Sequence, residues 1–177
     1  LIVAFLVGIV GGVGIVSLKN VGENAKKMYS ENLQNVYMLT DMKQNLTEIK
    51  SNIAELLNTK DEKDTAIKDK LEKIIQEDKD ENNKYVSQLE ATLIDKDQKD
   101  LFEQFNNKLV EYRQLRENVI KLIDANNYAD AAEQYKELPK VTDALFDSLD
   151  KLIEANLKES STANDNIVLI YTKSTAI

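Results

Sequence analysis

Arg113 and Arg116 are the only arginines in a chain that is otherwise basic through lysine. Three residues apart, they fall on neighbouring positions of one helix face. A planar guanidinium fork can hold a carboxylate through two parallel hydrogen bonds, which a lysine ammonium cannot do. Tyr112 adjoins the pair. In an antiparallel bundle, counting from the loops brings Lys50 and Tyr135 to the same level. Lys50, Tyr112, Arg113, Arg116 and Tyr135 therefore form a candidate site for a small organic or amino acid. The competing reading is structural, with the two arginines paired to Glu72, Glu77 or Glu137.

A second group of chemically distinct residues interrupts otherwise apolar stripes: Asn32, Asn35, Asp78, Asn82, Arg116 and Asn156. Buried asparagines can fix helix register and oligomeric state at some cost in stability, and the three asparagines Asn32, Asn35 and Asn156 fit that role as well as a ligand-binding one. Beyond these the inventory is restrictive. The chain has no Cys and no His. Thiolate nucleophiles, disulfides, haem ligation through histidine and ordinary zinc sites are thereby excluded, as is the usual general base near neutral pH. A carboxylate-bridged metal enzyme in a helix bundle would need Glu-x-x-His pairs. The sequence calls for no enzyme, no cofactor and no metal. Thirty-one acids against 23 bases give a net charge of -8, which speaks against a nucleic-acid partner.

The elements that position these residues are helices. The chain has one Pro and five Gly, all the Gly within the first 22 residues, so little punctuates the rest. From Leu18 a heptad seam runs through Ala25, Asn32, Leu39, Leu46 and Ile53, with Val21, Met28, Asn35, Met42, Ile49 and Leu56 as its second row. It stops near Asn58, before a polar stretch where Asp64 or Thr65 can cap the next helix. That helix carries Leu71, Ile75, Asp78, Asn82, Tyr85 and Leu89, and a break follows at Asp95, Lys96 and Asp97. A third seam holds Phe102, Phe105, Leu109, Tyr112, Arg116, Val119 and Ile123, closed by residues 124–127. The fourth starts near Tyr128 and carries Leu138, Leu145, Leu149, Leu152, Asn156, Ala163 and Ile170, with Pro139 expected to kink it or mark its start. Short connections force antiparallel neighbours. The expected fold is all-α, an up-down-up-down four-helix bundle with outer helices of about 40 residues, roughly 60 Å long at 1.5 Å per residue.

Residues 1–18 are uncharged and apolar on every face, which reads as part of a transmembrane helix. A signal peptide is the alternative. Gly8 and Gly12 form a GxxxG pair of the kind that lets membrane helices approach closely. Residues 167–177 read as the start of a second transmembrane helix, leaving 19–166 as the domain between them. A structural or pore-forming bundle is a further alternative, but no additional long apolar stretch lies between residues 20 and 160.

The apolar leader, then Tyr29-Ser30-Glu31-Asn32-Leu33, then Leu39-Thr40-Asp41-Met42 with Leu46, Ile49 and Ile53, and later Tyr128-Ala129-Asp130-Ala131 before a long helix, resemble the four-helix-bundle ligand-binding domain of methyl-accepting chemotaxis receptors. The resemblance covers nearly the whole chain and rests on architecture more than on any sharp motif. It implies a membrane-anchored homodimer on the extracytoplasmic side of a bacterial membrane. Such a domain senses a small molecule or a solute-binding protein and signals by a small shift of the fourth helix against the first. Receptors of this kind commonly bind acids in the membrane-distal half, where the arginine pair would lie. The same module also occurs on sensor kinases and cyclase-type receptors.

Overall fold

The computed structural model describes residues 2–61, 65–93 and 96–175. Every regular element among them is helical, and the architecture is a four-helix bundle. The helices are α1 (Ile2–Lys26), α2 (Gln34–Asn58), α3 (Ala66–Thr92), α4 (Lys96–Asp124), α5 (Tyr128–Tyr135) and α6 (Leu138–Thr175). A π-helical stretch, Lys27–Leu33, joins α1 to α2. The first expected helix thus changes its winding at Lys27–Leu33, and the fourth is two helices.

The chain forms two compact units, residues 37–153 and residues 1–36 with 154–177. In the larger unit, direction follows from paired residue numbers. Lys68 reaches Asp124 and Lys79 reaches Glu117, so α3 and α4 run antiparallel. Asn45 bonds to Asn82 and Tyr85 to Asp41, which sets α2 antiparallel to α3. The heptad rows become the core because a 3–4 spacing keeps one stripe facing the bundle axis. Leu39, Met42, Leu46, Ile49, Ile53 and Leu56 of α2 interleave there with Leu71, Ile75 and Leu89 of α3. Phe105, Leu109, Val119 and Ile123 of α4 and Leu145, Leu149 and Leu152 of α6 complete it. Each such side chain contributes about 1.5–3 kcal/mol on burial. All seven expected seam positions of α4, Phe102 to Ile123, are buried.

The helix ends show why the connections are short. Asn126 is the one described non-glycine residue at positive φ, 58°. Its N–H donates to the Ile123 carbonyl at 2.9 Å, and the Asn127 N–H to Leu122 at 2.8 Å. This left-handed cap satisfies the last carbonyls of α4 and turns the chain into α5. After Tyr135 the backbone tightens, with Lys136 N–H to Glu133 and Glu137 N–H to Gln134. A new helix then starts at Leu138 with Pro139 in its first turn, where a missing N–H costs nothing. Pro139 therefore marks a helix start. Lys96, expected in the break, already belongs to α4. Thr65 precedes α3 but makes no capping bond through its side chain. Asp64 and Asp95 lie outside the described residues.

In the smaller unit, the Asn35 amide donates to Asn156 at 3.1 Å and Lys27 pairs with Glu159 at 3.5 Å, again antiparallel. Asn32, Asn35, Asn156, Ser160 and Ala163 are buried there. The seam does not extend to its expected first position, since Leu18 is 73% exposed. Ile15, Val16, Leu18, Val168, Leu169 and Tyr171 all present apolar surface. Among the described residues no helix is long and apolar enough to cross a membrane.

Candidate functional site

The five residues of the expected site all lie in the larger unit, but they do not form one open cluster. Tyr112 is fully buried and Arg116 nearly so, because both occupy the core seam of α4. One helical turn apart, they meet directly: the guanidinium carbon of Arg116 lies 5.5 Å from the centroid of the Tyr112 ring, a cation–π distance. Tyr135 of α5 donates its hydroxyl to the backbone carbonyl of Lys50 at 3.2 Å. The Lys50 contribution is therefore its main chain. Burial raises the Tyr112 and Tyr135 hydroxyls above their ordinary range, and the Arg116 charge partly offsets this at Tyr112. Both phenols stay protonated.

The arginines do not use the acids named from sequence. Arg116 donates through Nε at 3.0 Å and Nη2 at 2.8 Å to Glu117 Oε1. Lys79 also reaches that oxygen, at 2.9 Å. Burial pushes the Glu117 carboxyl up, but the hydrogen bonds and charges of Lys79 and Arg116 outweigh it and hold the group below the usual range. Arg113 donates to Asn83 Oδ1 of α3 at 2.5 Å. Burial lowers its pKa, and the neighbouring Arg116 charge lowers it further. A carboxylate ligand at Arg116 would have to displace or share Glu117.

Next to this cluster lies a polar layer that sequence reasoning saw only in part, as the seam interruptions Asp78 and Asn82. The Tyr85 hydroxyl is 2.6 Å from Asp41 Oδ2 and 3.0 Å from Glu81 Oε1. Asn45, buried on α2, donates to Glu81 Oε2 at 3.0 Å and to Asn82 Oδ1 at 3.3 Å. Asp78 Oδ2, Asn82 Nδ2, Asn52 Nδ2 and Tyr112 Oη are enclosed without a hydrogen-bond partner. Burial raises the Asp78 carboxyl to about 6, and the charges of Glu48, Glu81, Glu77 and Asp41 add to the effect. The available sequence signal was the i,i+4 spacing of Asp41 with Asn45 and of Glu81 with Tyr85, which puts each pair on one helix face.

A separate cleft of about 300 Å³ lies between α3 and α4, lined by Glu90, Leu93, Lys99, Phe102, Glu103 and Asn106. It contains none of the expected site residues. No group of acidic side chains among the described residues could hold a metal ion.

A family model described as a four helix bundle sensory module for signal transduction matches residues 1–171. Comparison with curated proteins and with solved structures found no match.

Proposed function

The chain belongs to the four-helix-bundle sensory modules of methyl-accepting chemotaxis proteins, a family of signal-transduction modules and not of enzymes, and from that premise we propose that it is the extracytoplasmic sensor domain of a bacterial chemoreceptor. The observation that carries this reading is the family match across residues 1–171. The exposed apolar side chains at both ends support placing residues 1–18 and 167–177 in the ends of two membrane helices. Ile15, Val16 and Leu18 at one end, and Val168, Leu169 and Tyr171 at the other, offer water surfaces that a bilayer would cover.

On this reading a small molecule or a solute-binding protein docks on the larger unit, and the domain works as a homodimer. The proposed small-molecule site is the Tyr112–Arg116 pair with Arg113, Tyr135 and Lys50. Its support is chemical: a buried guanidinium stacked on a phenol is oriented in advance, and its one acidic partner, Glu117, stays partly open to solvent. Transmission follows from α6, which runs from Leu138 to Thr175. A small displacement of such a helix is a recognised switching mode.

A thermal-shift screen of the chain against amino acids, aliphatic di- and tricarboxylic acids and aromatic acids tests the reading. A ligand at 100 times its dissociation constant adds about 2.7 kcal/mol of stability. A hit lost in Arg116→Lys, which keeps the charge and removes the fork, supports the site. A hit that survives moves the pocket elsewhere. Absence of any hit, together with failure of periplasmic binding proteins to associate, overturns the sensor reading in favour of a structural bundle.

A further inference from the structure

We propose that the polar layer around Asp78 is a proton-binding site, so that a fall in external pH is itself a stimulus this module reads. The proposal rests on the sensory reading for its meaning, and on the geometry of the layer for the site.

The layer holds more acceptors than donors. A phenol has one hydrogen to give, yet the Tyr85 hydroxyl stands within hydrogen-bond distance of two carboxylates, Asp41 at 2.6 Å and Glu81 at 3.0 Å. When both are ionised, only one is served. The second contact becomes a hydrogen bond once one of the carboxylates carries a proton. One turn away on α3, Asp78 Oδ2 is enclosed and meets no donor, and none of the ion pairs among the described residues includes Asp78. An ionised oxygen in that position is costly and a protonated one is cheap.

The charges around Asp78 reinforce this. From α2 come Asp41 and Glu48, and from its own helix Glu77 and Glu81, all raising its proton affinity after burial itself. The nearby cations make their hydrogen bonds elsewhere: Lys79 of α3 and Arg116 of α4 both bind Glu117, and Arg113 donates to Asn83. On the α4 side the layer presents Tyr112, whose hydroxyl registers the Asp78 charge, and behind it Tyr135 of α5. Asn82 is 3% exposed, and its Nδ2 keeps no hydrogen-bond partner. Such a half-used network is what a site that gains and loses a proton requires, whereas a purely structural core network is closed.

The sign of the effect is fixed. Asp78 is raised from 3.8 to about 6, so the folded protein binds that proton on the order of 100-fold more tightly than an unperturbed Asp. Its stabilising contribution is fully present below the unfolded value of 3.8 and is lost as pH rises through about 6. Asp78→Asn mimics the protonated form. It should melt higher than the parent chain near pH 7.5, with the gap narrowing as pH falls below about 6 and closing only below 3.8. A constant gap, or none, overturns the site. Carbon-13 titration of the Asp78 carboxyl in the unmodified chain gives the same answer without a variant, since a midpoint in the ordinary Asp range also overturns it. The stimulus is read from amide shifts. Changes in α2 and α6 that follow the Asp78 midpoint and vanish in Asp78→Asn support it, while changes confined to residues 74–85 of α3 overturn it. None of these readouts needs a small-molecule ligand, so they fail independently of the thermal-shift screen.

Discussion

Asn35 and Asn156 face each other across the helix pair of the smaller unit, the Nδ2 of Asn35 donating to the Oδ1 of Asn156 at 3.1 Å, and both residues are almost completely buried. A pair of Leu residues would fill that space with less desolvation. The amides are retained where a plain bundle would use apolar side chains, and a buried Asn pair tolerates only one alignment of its helices. Truncating one partner, as in Asn35→Ala, should cost about 1–3 kcal/mol because the other amide loses its donor inside the pair. The double change to Leu should restore or exceed the original stability while loosening register. The chain has no cysteine, so a disulfide between Lys27→Cys and Glu159→Cys reports register without background. The Asn pair should give near-complete crosslinking of these two positions, and the Leu pair should crosslink them less completely.

Tyr85 offers a second test. It is in the core, yet its hydroxyl lies within hydrogen-bond distance of both Asp41 and Glu81. Tyr85→Phe keeps the ring and deletes the donor. Hydrogen bonds to charged groups are worth about 1.5–3 kcal/mol, so urea unfolding at neutral pH should show a loss in that range. A loss near zero would show that the hydroxyl adds nothing beyond the packing of the ring.

The fold was legible because heptad spacing is a one-dimensional signal. A stripe such as Phe102, Phe105, Leu109, Tyr112, Arg116, Val119 and Ile123 can be buried by only one face of a helix, and all of it is buried. What the pattern does not encode is local winding: Lys27–Leu33 has no proline or glycine, yet it is π-helical. The site was legible in part. Tyr112 and Arg116 share a seam and do meet, whereas Arg113, three residues from Arg116, sits at the edge of the seam and pairs with Asn83 on α3. The partner of Arg116 was missed because it is the next residue, Glu117. Side chains one apart on a helix normally diverge, and only a long guanidinium arm lying along the surface can close that gap. Glu81 and Asp41 were missed since neither lies on an apolar stripe, and only the cross-helix placement of Tyr85 joins them.

Glu117 and Asp78 should act on stability with opposite signs. The Glu117 carboxyl is held below its ordinary 4.5. Its contribution is therefore present above that value and is lost as pH falls through the lower folded value. Side-chain exposure of 37% keeps the effect small, below about 1 kcal/mol once solvent screening is allowed for. Thermal unfolding of Glu117→Gln should thus match the parent chain at strongly acid pH and fall below it at neutral pH. The gap should open as pH rises towards and past the ordinary 4.5. A gap that opens near pH 6 instead would assign the titration to the Asp78 layer and remove Glu117 from the account.

The turn between α4 and α5 gives the sharpest backbone test. Asn126 sits at φ 58°, and the hydrogen bonds from its own N–H and that of Asn127 close the end of α4. Left-handed geometry costs an ordinary L-residue roughly 1–2 kcal/mol, while Gly adopts it freely and Asn at intermediate cost. Asn126→Gly should leave the melting temperature unchanged or slightly raised, and Asn126→Ala should lower stability by about 1 kcal/mol. Asn126→Val should lower it further, because a β-branched side chain at positive φ is strained more severely. All three keep both backbone donors, so the order Gly, Asn, Ala, Val isolates the dihedral from the hydrogen bonds. Equal melting of the Ala and Gly variants would mean that the chain leaves α4 through a different turn from the left-handed cap described above.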